Sequence, residues 1–545
     1  MQSKPWLATY RENNIPEQVN SKAYPSVTHM MNEAMTRYAD KPAFRAFGQT
    51  LTYAEIDRQS RNFAAWLQNK AGVRKGDRVA VMTPNIMAFP IAMIGIIRAG
   101  AVQVNVNPLY TPHELEHQLN DAGCETMVIY SGSTPTLAAT KGKTAVKHVL
   151  TVGLGDGTPA ALPSPPVDPG LAGTVAFADA LREGESLTFT PVTLGSDDLL
   201  FLQYTGGTTG LSKGASLSHA NLVANTEQYK LFMATTIRPG EEVVVTAIPL
   251  YHVFALMVNL ITYFSLGAEN WLVANPRDMD GFVNILKEAR PTFFSGVNTL
   301  YAGLTQNKNI RDVDFSRLRL AVGGGAAVVQ ATSEKWREIT GTFIREGYGL
   351  SETSPIVSFN PASEKDFNGT TGLPLSSTDI KLLDGDDKEV ALGQSGEVCV
   401  KGPQVMSGYW NKPEANATAF TADGYFRTGD IGEFDKRGFL KIVDRKKDMV
   451  LVSGFNVFPN EVEAVATACP GVAECAAIGV PDERTGEAVR LFVVKAADAQ
   501  LDEAQVIAFC RQSLAGYKVP KDVRFLAALP KSTVGKILRR ELRTV

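Results

Sequence analysis

The chain has 545 residues, which allows three or four folding units of about 150 residues each. Its composition, 44% apolar and 20% charged, excludes collagen-like, disordered and coiled-coil classes. The formal net charge is −3 with no long run of one sign, so nothing indicates a nucleic-acid-binding protein.

Cysteine usage and apolar run lengths bear on the cellular compartment. The five cysteines form no C-x-x-C pair and are too few for a disulfide framework, so we expect small buried side chains in a reducing compartment. The start, MQSKPWLATYRENNIPEQ, has no apolar core of a secretory signal. The longest apolar stretch, residues 86–97, falls short of the roughly 20 residues that span a bilayer. We therefore expect a cytoplasmic protein whose membrane contact, if any, is peripheral.

Strand-like and helix-like segments alternate from Gly76 onward. DRVAVMTPN, IMAFPIAMIGIIRAG, AVQVNVNP, TPHELEHQLNDAG and ETMVIYSG predict a βαβαβ unit, hence a parallel sheet covered on both faces. In the second helix, Thr111, Pro112 and Glu114 predict an N-cap, a first turn and a capping box. Residues 151–196, rich in Gly, Pro, Ala and Thr, predict a variable connection.

The strand DLLFLQY comes after this connection, and a second alternating run follows it through EEVVVTAIPL, a helix after Tyr251, AENWLVA, TFFSGVN and LRLAVGGG. It predicts a second doubly wound sheet in series with the first. After about Asn368 short alternating stretches with Gly and Asp turns predict a small β-barrel near residues 368–443. From Val450 the mixture of helix and strand predicts a separate α+β lobe of about a hundred residues.

The stretch at residues 204–215, YTGGTTGLSKGA, directly follows a predicted strand. Its glycines let the backbone approach an anion closely, and its hydroxyls and Lys213 complete a loop suited to a phosphate chain. The spacing differs from that of a P-loop, so kinase and GTPase logic does not transfer. By composition alone such a loop is more often a plain turn; the order of its twelve residues favours a nucleotide site.

Four later stretches complete an ordered set of motifs. They are EGYGLSETSP at residues 346–355, YFRTGD at 425–430, DRKKDMVLVSGFNVFPNEVE at 444–463 and LPKSTVGKILRREL at 529–542. With the 204–215 loop, the chain resembles the adenylate-forming superfamily of acyl-CoA synthetases, adenylation domains and firefly-type luciferases from end to end. Wording between the motifs, such as NVNPLYTPHELEHQLNDAG and PLYHVFAL, is similar to that of bacterial long-chain fatty acid CoA ligases.

The resemblance implies an α/β fold with two doubly wound sheets and the barrel in a large N-terminal domain, residues 1–446. A small, mobile α+β C-terminal domain, residues 447–545, would swing about a hinge at Lys447 between two half-reactions. A fatty acid carboxylate would attack the α-phosphorus of ATP, pyrophosphate would leave, and the acyl adenylate would pass its acyl group to CoA. Because the reactants are anions and a carboxylate is already ionised at neutral pH, the protein must supply positive charge and orientation rather than a general base.

The resemblance also assigns the nucleotide site. Lys213, Ser351, Glu352 and Lys536 would be catalytic together with His252, and Glu352 would hold Mg²⁺. Serine replaces the family's usual threonine at Ser351 and keeps the hydroxyl. The nucleotide-binding residues implied are Thr205, Gly206, Gly207, Thr208, Thr209, Gly210, Lys213, Gly324, Gly325, Ala326, Tyr348, Gly349, Ser351, Asp430, Arg445 and Lys536. Singly, Tyr348 and Asp430 would suit a core aromatic and a turn acid; the ordered set favours adenine and ribose contacts.

Two further assignments concern CoA and the acyl chain. By resemblance, Gly454 would face the pantetheine of CoA, and the acyl pocket would be lined by His252, Val253, Phe254, Leu256, Gly296 and Val297. Burial of an alkyl chain gains about 0.8 kcal/mol per methylene, so a long channel favours long substrates. Some relatives carry a tryptophan gate where Leu256 stands, and apolar helix residues of this kind are more often core than ligand wall.

The reading that follows is an AMP-forming long-chain fatty acid CoA ligase that uses ATP, Mg²⁺ and CoA. An aryl or medium-chain acid CoA ligase, or an acyl-AMP ligase that loads a carrier protein, stays open. A non-catalytic nucleotide-binding protein is disfavoured because Lys213, Glu352, Asp430, Arg445 and Lys536 are all present. The sequence leaves the oligomeric state, including a homodimer, undecided, and fatty substrates make transient contact with the inner membrane plausible.

Overall fold

Helices and strands alternate along most of the chain. The computed structural model describes residues 4–205, 211–532 and 535–545. Its α-helices are α1 (Leu7–Glu12), α2 (Val27–Arg37), α3 (Tyr53–Asn69), α4 (Ala88–Arg98), α5 (Pro112–Ala122), α6 (Thr134–Ala138), α7 (Phe177–Gly184), α8 (His219–Phe232), α9 (Tyr263–Ser265), α10 (Met279–Ala289), α11 (Asn298–Gln306), α12 (Gln330–Thr340), α13 (Pro413–Ala419), α14 (Pro459–Thr467), α15 (Glu503–Ser513) and α16 (Arg539–Leu542). A π-helical segment, Ala255–Thr262, runs directly into α9.

The strands are β1 (Pro42–Ala46), β2 (Gln49–Thr52), β3 (Arg78–Met82), β4 (Val102–Asn105), β5 (Thr126–Tyr130), β6 (His148–Val152), β7 (Val175–Ala176), β8 (Leu199–Thr205), β9 (Lys213–Ser218), β10 (Val243–Thr246), β11 (Glu269–Leu272), β12 (Phe293–Gly296), β13 (Leu320–Gly323), β14 (Ile344–Gly349), β15 (Ile356–Phe359), β16 (Leu373–Pro374), β17 (Asp379–Leu383), β18 (Gly396–Lys401), β19 (Phe426–Phe434), β20 (Leu440–Arg445), β21 (Val450–Val452), β22 (Phe455–Val457), β23 (Val472–Asp482), β24 (Gly486–Lys495) and β25 (Asp522–Phe525). Short 3₁₀ turns lie at Ser131–Ser133, Ile310–Asp312, Ser351–Thr353 and Gly516–Lys518.

The chain divides into two compact units. The large unit contains Thr9–Asp379 and Lys401–Phe420, and the small unit contains Met1–Ala8, Ile380–Val400 and Thr421–Val545. The boundary predicted between residues 446 and 447 lies within the small unit and stays a prediction. Within the described residues, no helix is both long and apolar enough to cross a membrane. All five cysteines are buried and unpaired, as the sequence predicted.

A seven-stranded sheet in the large unit contains the predicted βαβαβ unit. Its strand order is β7-β6-β5-β3-β4-β8-β9, and β3 pairs in parallel with both β4 and β5. The crossovers through α4 and α5 therefore run in opposite directions, which places the two helices on opposite faces. Thr111 caps α5 with the predicted capping box, completed by Glu114, and Pro112 opens the helix. The 151–196 connection is more structured than predicted, because it contains β7 and α7.

A nine-stranded sheet follows in the large unit, with the order β16-β15-β14-β13-β12-β10-β11-β1-β2. The central strands β11, β10, β12, β13 and β14 pair in parallel, whereas β15, β16 and β2 join antiparallel at the two sides. The two α/β sheets are therefore confirmed, as mixed sheets rather than purely parallel ones. A core of buried side chains that includes Phe282, Phe294, Tyr301 and Trp336 packs against the second sheet.

The small unit holds two sheets. Strands β17-β18-β19-β20 form a four-stranded sheet, and β22-β21-β24-β23 with β25 beside β24 form a second one that packs against α14 and α15. The expectation of a β-barrel near residues 368–443 is corrected here. Of the described strands in that range, β16 belongs to the nine-stranded sheet, and the remaining four form an open sheet with β17 and β20 at its edges. Four strands are too few to close around a packed interior, for which about eight are typical.

Candidate active site

The predicted phosphate loop connects the two strands of an antiparallel hairpin. Strands β8 and β9 pair so that Thr205 lies opposite Lys213 and Tyr204 opposite Gly214. The loop glycines and threonines assigned from the sequence, Gly206, Gly207, Thr208, Thr209 and Gly210, lie outside the described residues. Thr205 and Lys213 thus stand directly across from each other at the two ends of that loop. Because a strand rather than a helix follows the loop, the arrangement differs from a P-loop, as its spacing predicted.

Both ends of the hairpin are anchored to α5. His117 donates from Nε2 to the carbonyl oxygen of Ser212 over 2.8 Å. The hydroxyl of Tyr204 donates to Oδ2 of Asp121 over 2.8 Å, and Lys412 forms an ion pair with Oδ1 of the same carboxylate. These contacts fix the strand ends on either side of the loop, so they hold Lys213 in place from its backbone.

Ser351 and Glu352 lie on the 3₁₀ turn that follows β14. This turn contacts both β8 and β9, so the structure brings Glu352 next to the arms of the phosphate loop. Only 8% of Glu352 is exposed, and its Oε1 accepts a hydrogen bond of 2.8 Å from the hydroxyl of Tyr409. The ring of that tyrosine also lies 4.4 Å from Nζ of Lys213. The sequence analysis did not single out Tyr409, which lies outside the five quoted motifs.

The carboxyl ends of three parallel strands converge beside this turn. Gly296 at the end of β12 pairs with Gly323 of β13, which pairs with Glu346 of β14. Ligands of open α/β sheets bind at such strand ends. A Cβ on Gly324 would lie 3.3 Å from the ring of Phe254 and 3.4 Å from the carbonyl oxygen of Gly347. A hydrogen atom there keeps the glycine loop in close contact with both.

The predicted adenine and acyl residues therefore lie together. A Cβ on Gly325 would have Val297 as its nearest neighbour, 3.8 Å away. Ala326 follows in the same loop, and Tyr348 lies on β14 opposite Ser358 of β15. A Cβ on Gly349 would lie 1.9 Å from the carbonyl oxygen of Pro355, so only glycine fits where β14 turns back. The structure thus joins the nucleotide and acyl assignments of the large unit at one edge of the nine-stranded sheet.

Glu346 is a second residue of this edge that the sequence analysis did not single out. It is 7% exposed, and burial raises its pKa from an ordinary 4.5 to about 8, although the backbone N–H of Val328 donates to it and opposes the rise. That donor belongs to the segment that follows Gly324, Gly325 and Ala326. Glu346 therefore fastens the glycine loop to β14. The only sequence signal was its position as first residue of the EGYGLSETSP motif.

His252 occupies the turn between β10 and the π-helical segment. It is partly exposed, and its Nδ1 accepts a hydrogen bond of 3.3 Å from the backbone N–H of Phe254. Gln203 of β8 donates to the carbonyl oxygen of Tyr251 over 3.1 Å, which ties this turn to the phosphate-loop strand. Val253 and Leu256 are almost fully buried. The predicted helix after Tyr251 exists, but most of it is π-helical.

In the small unit, Asp430 and Arg445 are direct neighbours. They lie opposite each other on β19 and β20, and Nε of Arg445 is 3.2 Å from Oδ1 of Asp430. Asp430 is 4% exposed, whereas the Arg445 side chain is more accessible. The two residues that the resemblance assigned to the ribose are thus brought together as a cross-strand ion pair. A carboxylate acceptor beside a guanidinium donor suits paired hydroxyls.

The hinge and CoA assignments lie close along the chain. Lys447 lies two residues after the end of β20. Its pKa is lowered chiefly by burial and also by the charge of Arg445. Gly454 belongs to the two-residue turn between β21 and β22, with φ of 84°, after Ser453 with φ of 51°. This left-handed pair is typical of a tight hairpin turn. Nothing lies within 4 Å of a Cβ built on Gly454, so the turn is open to a ligand chain.

Lys536 lies on one arm of a short hairpin near the carboxyl terminus. Its backbone N–H donates to Oγ of Ser532 over 3.1 Å, its carbonyl oxygen accepts from the Ser532 N–H, and Lys531 bridges to Ile537. Three residues later, Arg539 donates to both carboxylate oxygens of Glu463 over 2.8 and 2.9 Å and to Asn460. Arg539 thereby anchors the hairpin that carries Lys536 to α14.

Magnesium fits one residue of the large unit. Among the described residues, no group of three or more His, Cys, Asp or Glu side chains could hold a metal ion by themselves. Mg²⁺ in nucleotide sites keeps several waters and uses one or two carboxylates together with phosphate oxygens. A single buried carboxylate such as Glu352, close to a phosphate loop, meets that requirement, whereas it would not suffice for a structural metal.

Comparison with known families covers most of the chain. The AMP-binding enzyme family matches residues 31–410, and the AMP-binding enzyme C-terminal domain matches residues 461–536. A protein named long-chain-fatty-acid–CoA ligase from Escherichia coli O6:H1 is 48% identical over 553 aligned positions, which cover 99% of this chain and 98% of the relative.

Solved structures with the same architecture are similar over almost the whole length. The anthranilate CoA ligase AuaEII in complex with anthranoyl-AMP superposes with a TM-score of 0.85 at 26% identity and covers 96% of this chain and 97% of its own. ATP-bound MatB from Rhodopseudomonas palustris superposes with a TM-score of 0.84 at 32% identity, covering 95% and 98% respectively.

Proposed function

Because the chain belongs to the AMP-binding enzyme family, we propose that its site activates a fatty acid in two steps and that it is a long-chain fatty acid CoA ligase. The fatty acid and ATP form acyl-AMP and pyrophosphate, and CoA then takes the acyl group and releases AMP. The observation that carries this conclusion is identity of nearly one half, along the full length, to a protein named for that activity. ATP and an acyl adenylate are also the ligands named for two structural relatives.

The residues of the large unit fit the first step. In the adenylation step the carboxylate oxygen bonds to the α-phosphorus while the bond to pyrophosphate breaks, and the main obstacle is repulsion among anions. We assign Thr205 and Lys213 to the β- and γ-phosphates and Ser351 to the α-phosphate. Glu352 would hold Mg²⁺, which would neutralise phosphate charge when bound. The hydrogen bond from Tyr409 to the buried Glu352 supports a fixed carboxylate in that place.

Adenine and ribose contacts complete the nucleotide assignments. We assign adenine to the Gly324–Gly325–Ala326 loop and the ring of Tyr348, since small residues permit close approach of a flat base. Asp430 and Arg445 are assigned to the ribose hydroxyls, and their ion pair supports a joint role. Lys536 supplies charge to the α-phosphate and the carboxylate during adenylation, Lys447 is the hinge, and Gly454 faces the pantetheine of CoA.

The acyl group is assigned to the buried segment after His252. Val253, Phe254 and Leu256 are buried, and Phe254 lies against the glycine loop, so an acyl chain would enter beside the adenylate. His252 lies between the strand that precedes it and this segment and would flank the carboxylate. Leu256 leaves no aromatic gate at its position. A fatty acid partitions into bilayers, so we also propose transient contact of the enzyme with the membrane surface.

Substrate selectivity tests the proposal. ATP–pyrophosphate exchange is measured with octanoate, palmitate and 4-coumarate, and AMP release is then measured with and without CoA. We expect exchange with palmitate above the other two acids, and AMP release that requires CoA. Exchange with 4-coumarate alone would identify an aryl acid ligase, and AMP release that needs a carrier protein instead of CoA would identify a loading enzyme. ATP binding with no exchange for any acid would contradict enzymatic function altogether.

A further inference from the structure

A short segment, residues 406–410, ties the phosphate hairpin to the turn that carries Glu352. At one end it pairs with β9: the N–H of Ser216 donates to the carbonyl of Gly408 over 2.9 Å, and the N–H of Trp410 donates to that of Gly214 over 2.8 Å. Tyr409 lies opposite Ala215 in this pairing. The segment is therefore a short extra strand beside the residues that directly follow Lys213.

The same segment also holds the turn of Glu352. The N–H of Met406 donates to the carbonyl oxygen of Glu352 over 2.8 Å. The side-chain amide of Asn416 accepts from the N–H of Tyr409 over 2.7 Å and donates to its carbonyl oxygen over 2.9 Å. The backbone of Tyr409 is thus held from two sides, which fixes the position from which its side chain extends.

The Tyr409 side chain contacts two residues of opposite charge. Its hydroxyl donates to Oε1 of Glu352 over 2.8 Å, and the face of its ring lies 4.4 Å from Nζ of Lys213. The hydroxyl is the donor in this bond, because an ionised carboxylate only accepts hydrogen bonds. A lysine held against an aromatic face gains a cation–π attraction, and its flexible stem loses freedom, while N–H groups that face away from the ring can donate to a phosphate.

We propose that Tyr409 is a positioning residue for adenylation, which sets Glu352 through its hydroxyl and Lys213 through its ring. It holds the carboxylate and the ammonium group separately in the orientations that ATP requires, before ATP arrives. This inference rests on the proposed function, because the roles of Lys213 and Glu352 belong to it. Tyr409 is distant in sequence from both Lys213 and Glu352. Its hydroxyl and its ring have separable effects.

Two substitutions separate those halves. Tyr409→Phe removes only the hydroxyl, and we expect kcat of ATP–pyrophosphate exchange to fall about tenfold and KM for ATP to rise about threefold, as for loss of a hydrogen bond to a charged group. Tyr409→Leu also removes the ring, and we expect KM for ATP to rise by a further factor of about three. Tyr24, which lies 5.8 Å from Nζ of Lys230 in the same unit, provides matched Tyr24→Phe and Tyr24→Leu controls.

A double-mutant cycle distinguishes positioning from a structural role. Dissociation constants of ATP are measured by calorimetry in the absence of a carboxylic acid substrate. They are measured for Tyr409→Phe in the wild-type background and in the Glu352→Gln background. We expect Tyr409→Phe to weaken ATP binding in the wild type and to change it less than about twofold in Glu352→Gln, since the two act as a unit. Equal losses in both backgrounds, or a loss matched by Tyr24→Phe, would overturn the proposal.

The result of the double-mutant cycle does not depend on the proposed reaction. If the wild type showed no ATP–pyrophosphate exchange with any carboxylic acid, the proposed function would fail. The ATP dissociation constants would still show whether Tyr409 acts through Glu352. Thermal unfolding of each variant separates loss of the fold from loss of positioning. Tyr409→Phe that exchanges at the wild-type rate would overturn the proposal even with the function intact.

Discussion

Glu346 is a carboxyl group that the fold keeps from water at the end of β14. Burial raises its pKa to about 8, so it carries a proton at pH values where an exposed glutamate is ionised. Between its ordinary pKa of 4.5 and this value, the folded protein binds a proton that the unfolded chain has released. The stabilisation from Glu346 is therefore complete below about pH 4.5 and is lost progressively as the pH rises to about 8.

Replacement by glutamine tests this linkage. Glu346→Gln keeps the shape of the side chain and an acceptor for the N–H of Val328 but does not titrate, so we expect the free energy of unfolding to depend less on pH between 5 and 8. The measurement is denaturant unfolding across that pH range. Glu334→Gln, at an exposed glutamate on α12, is the matched control and is expected to leave the slope unchanged. An equally steep loss of stability in Glu346→Gln would contradict the assignment.

At this scale, residue type and motif order predicted some contacts and could not predict others. The pairing of Asp430 with Arg445 agrees with their joint assignment, since both come from motifs whose chemistry needs them together. Tyr409 has no such signal, because a tyrosine that follows a glycine predicts only an aromatic residue in a turn. Its function depends on pairing with β9, about two hundred residues earlier in the chain, which local pattern does not encode.

The π-helical segment before α9 is the element whose geometry departs most from its sequence pattern. The run ALMVNLIT is apolar except for Asn259 and Thr262 and predicts an ordinary buried helix. Asn259 is fully buried and bonds to three partners: it donates to Thr246, accepts from Ser295 and accepts at its backbone carbonyl from Asn270. Those partners lie on β10, β12 and β11, so the segment is locked to three strands of the sheet. The network also satisfies a backbone group of the π-helical segment, because the carbonyl oxygen of Asn259 accepts the hydrogen bond from Asn270.

Substitution of Asn259 tests whether this network shapes the acyl pocket. Asn259→Leu leaves the buried hydroxyls of Ser295 and Thr246 without their bonds to the Asn259 side chain, whereas the bond from Asn270 to the backbone carbonyl stays. We therefore expect a loss of about 2–4 kcal/mol in the free energy of unfolding. Since the segment continues from His252 and Phe254, we also expect the ratio of palmitate to octanoate exchange to change. The readouts are denaturant unfolding and kcat/KM for each acid.

Asn225 provides the control for that substitution. It is equally buried and bonds to Gln228 and to both the N–H and the carbonyl oxygen of Ile356, away from the acyl residues. Asn225→Leu should therefore destabilise the protein by a similar amount while the ratio between the two acids stays at the wild-type value. A similar change of the ratio in both variants would show that instability alone, rather than the π-helical segment, alters chain-length preference.

On the scale of the whole molecule, alternation of strands and helices predicted both α/β sheets, because each crossover helix is local to its strands. The open four-stranded sheet was read as a barrel, because the repeat of short strands and turns is the same whether or not the last strand returns to the first. Assignment of Lys401–Phe420 to the large unit was likewise hidden, since the stretches on either side of it belong to the small unit. Its long-range contacts reveal it, such as the pairing of Tyr409 with β9 and the ion pair of Lys412 with Asp121.

The largest-scale proposal is that the two half-reactions need different placements of residues 447–545. Lys536→Ala removes charge that we assign to adenylation alone, so acyl-AMP formation should fall by a factor of about a hundred or more while thioester formation from supplied acyl-AMP stays near the wild-type rate. Lys447→Pro fixes φ at the hinge and restricts Lys446, so it should slow the CoA step and spare adenylation. Each half-reaction is followed separately by rapid quench.

Controls come from neighbouring lysines and from the side chain alone. Lys531→Ala removes a lysine of the same hairpin that pairs with Glu474 over 2.6 Å, and we expect it to leave both steps unchanged. Lys447→Ala removes the ammonium group but keeps backbone freedom, so it should slow the CoA step less than proline does. Because the two main variants should damage opposite steps, a general loss of structure cannot imitate the pattern. Equal damage to both steps in Lys536→Ala, or an unimpaired CoA step in Lys447→Pro, would contradict a turn about this hinge.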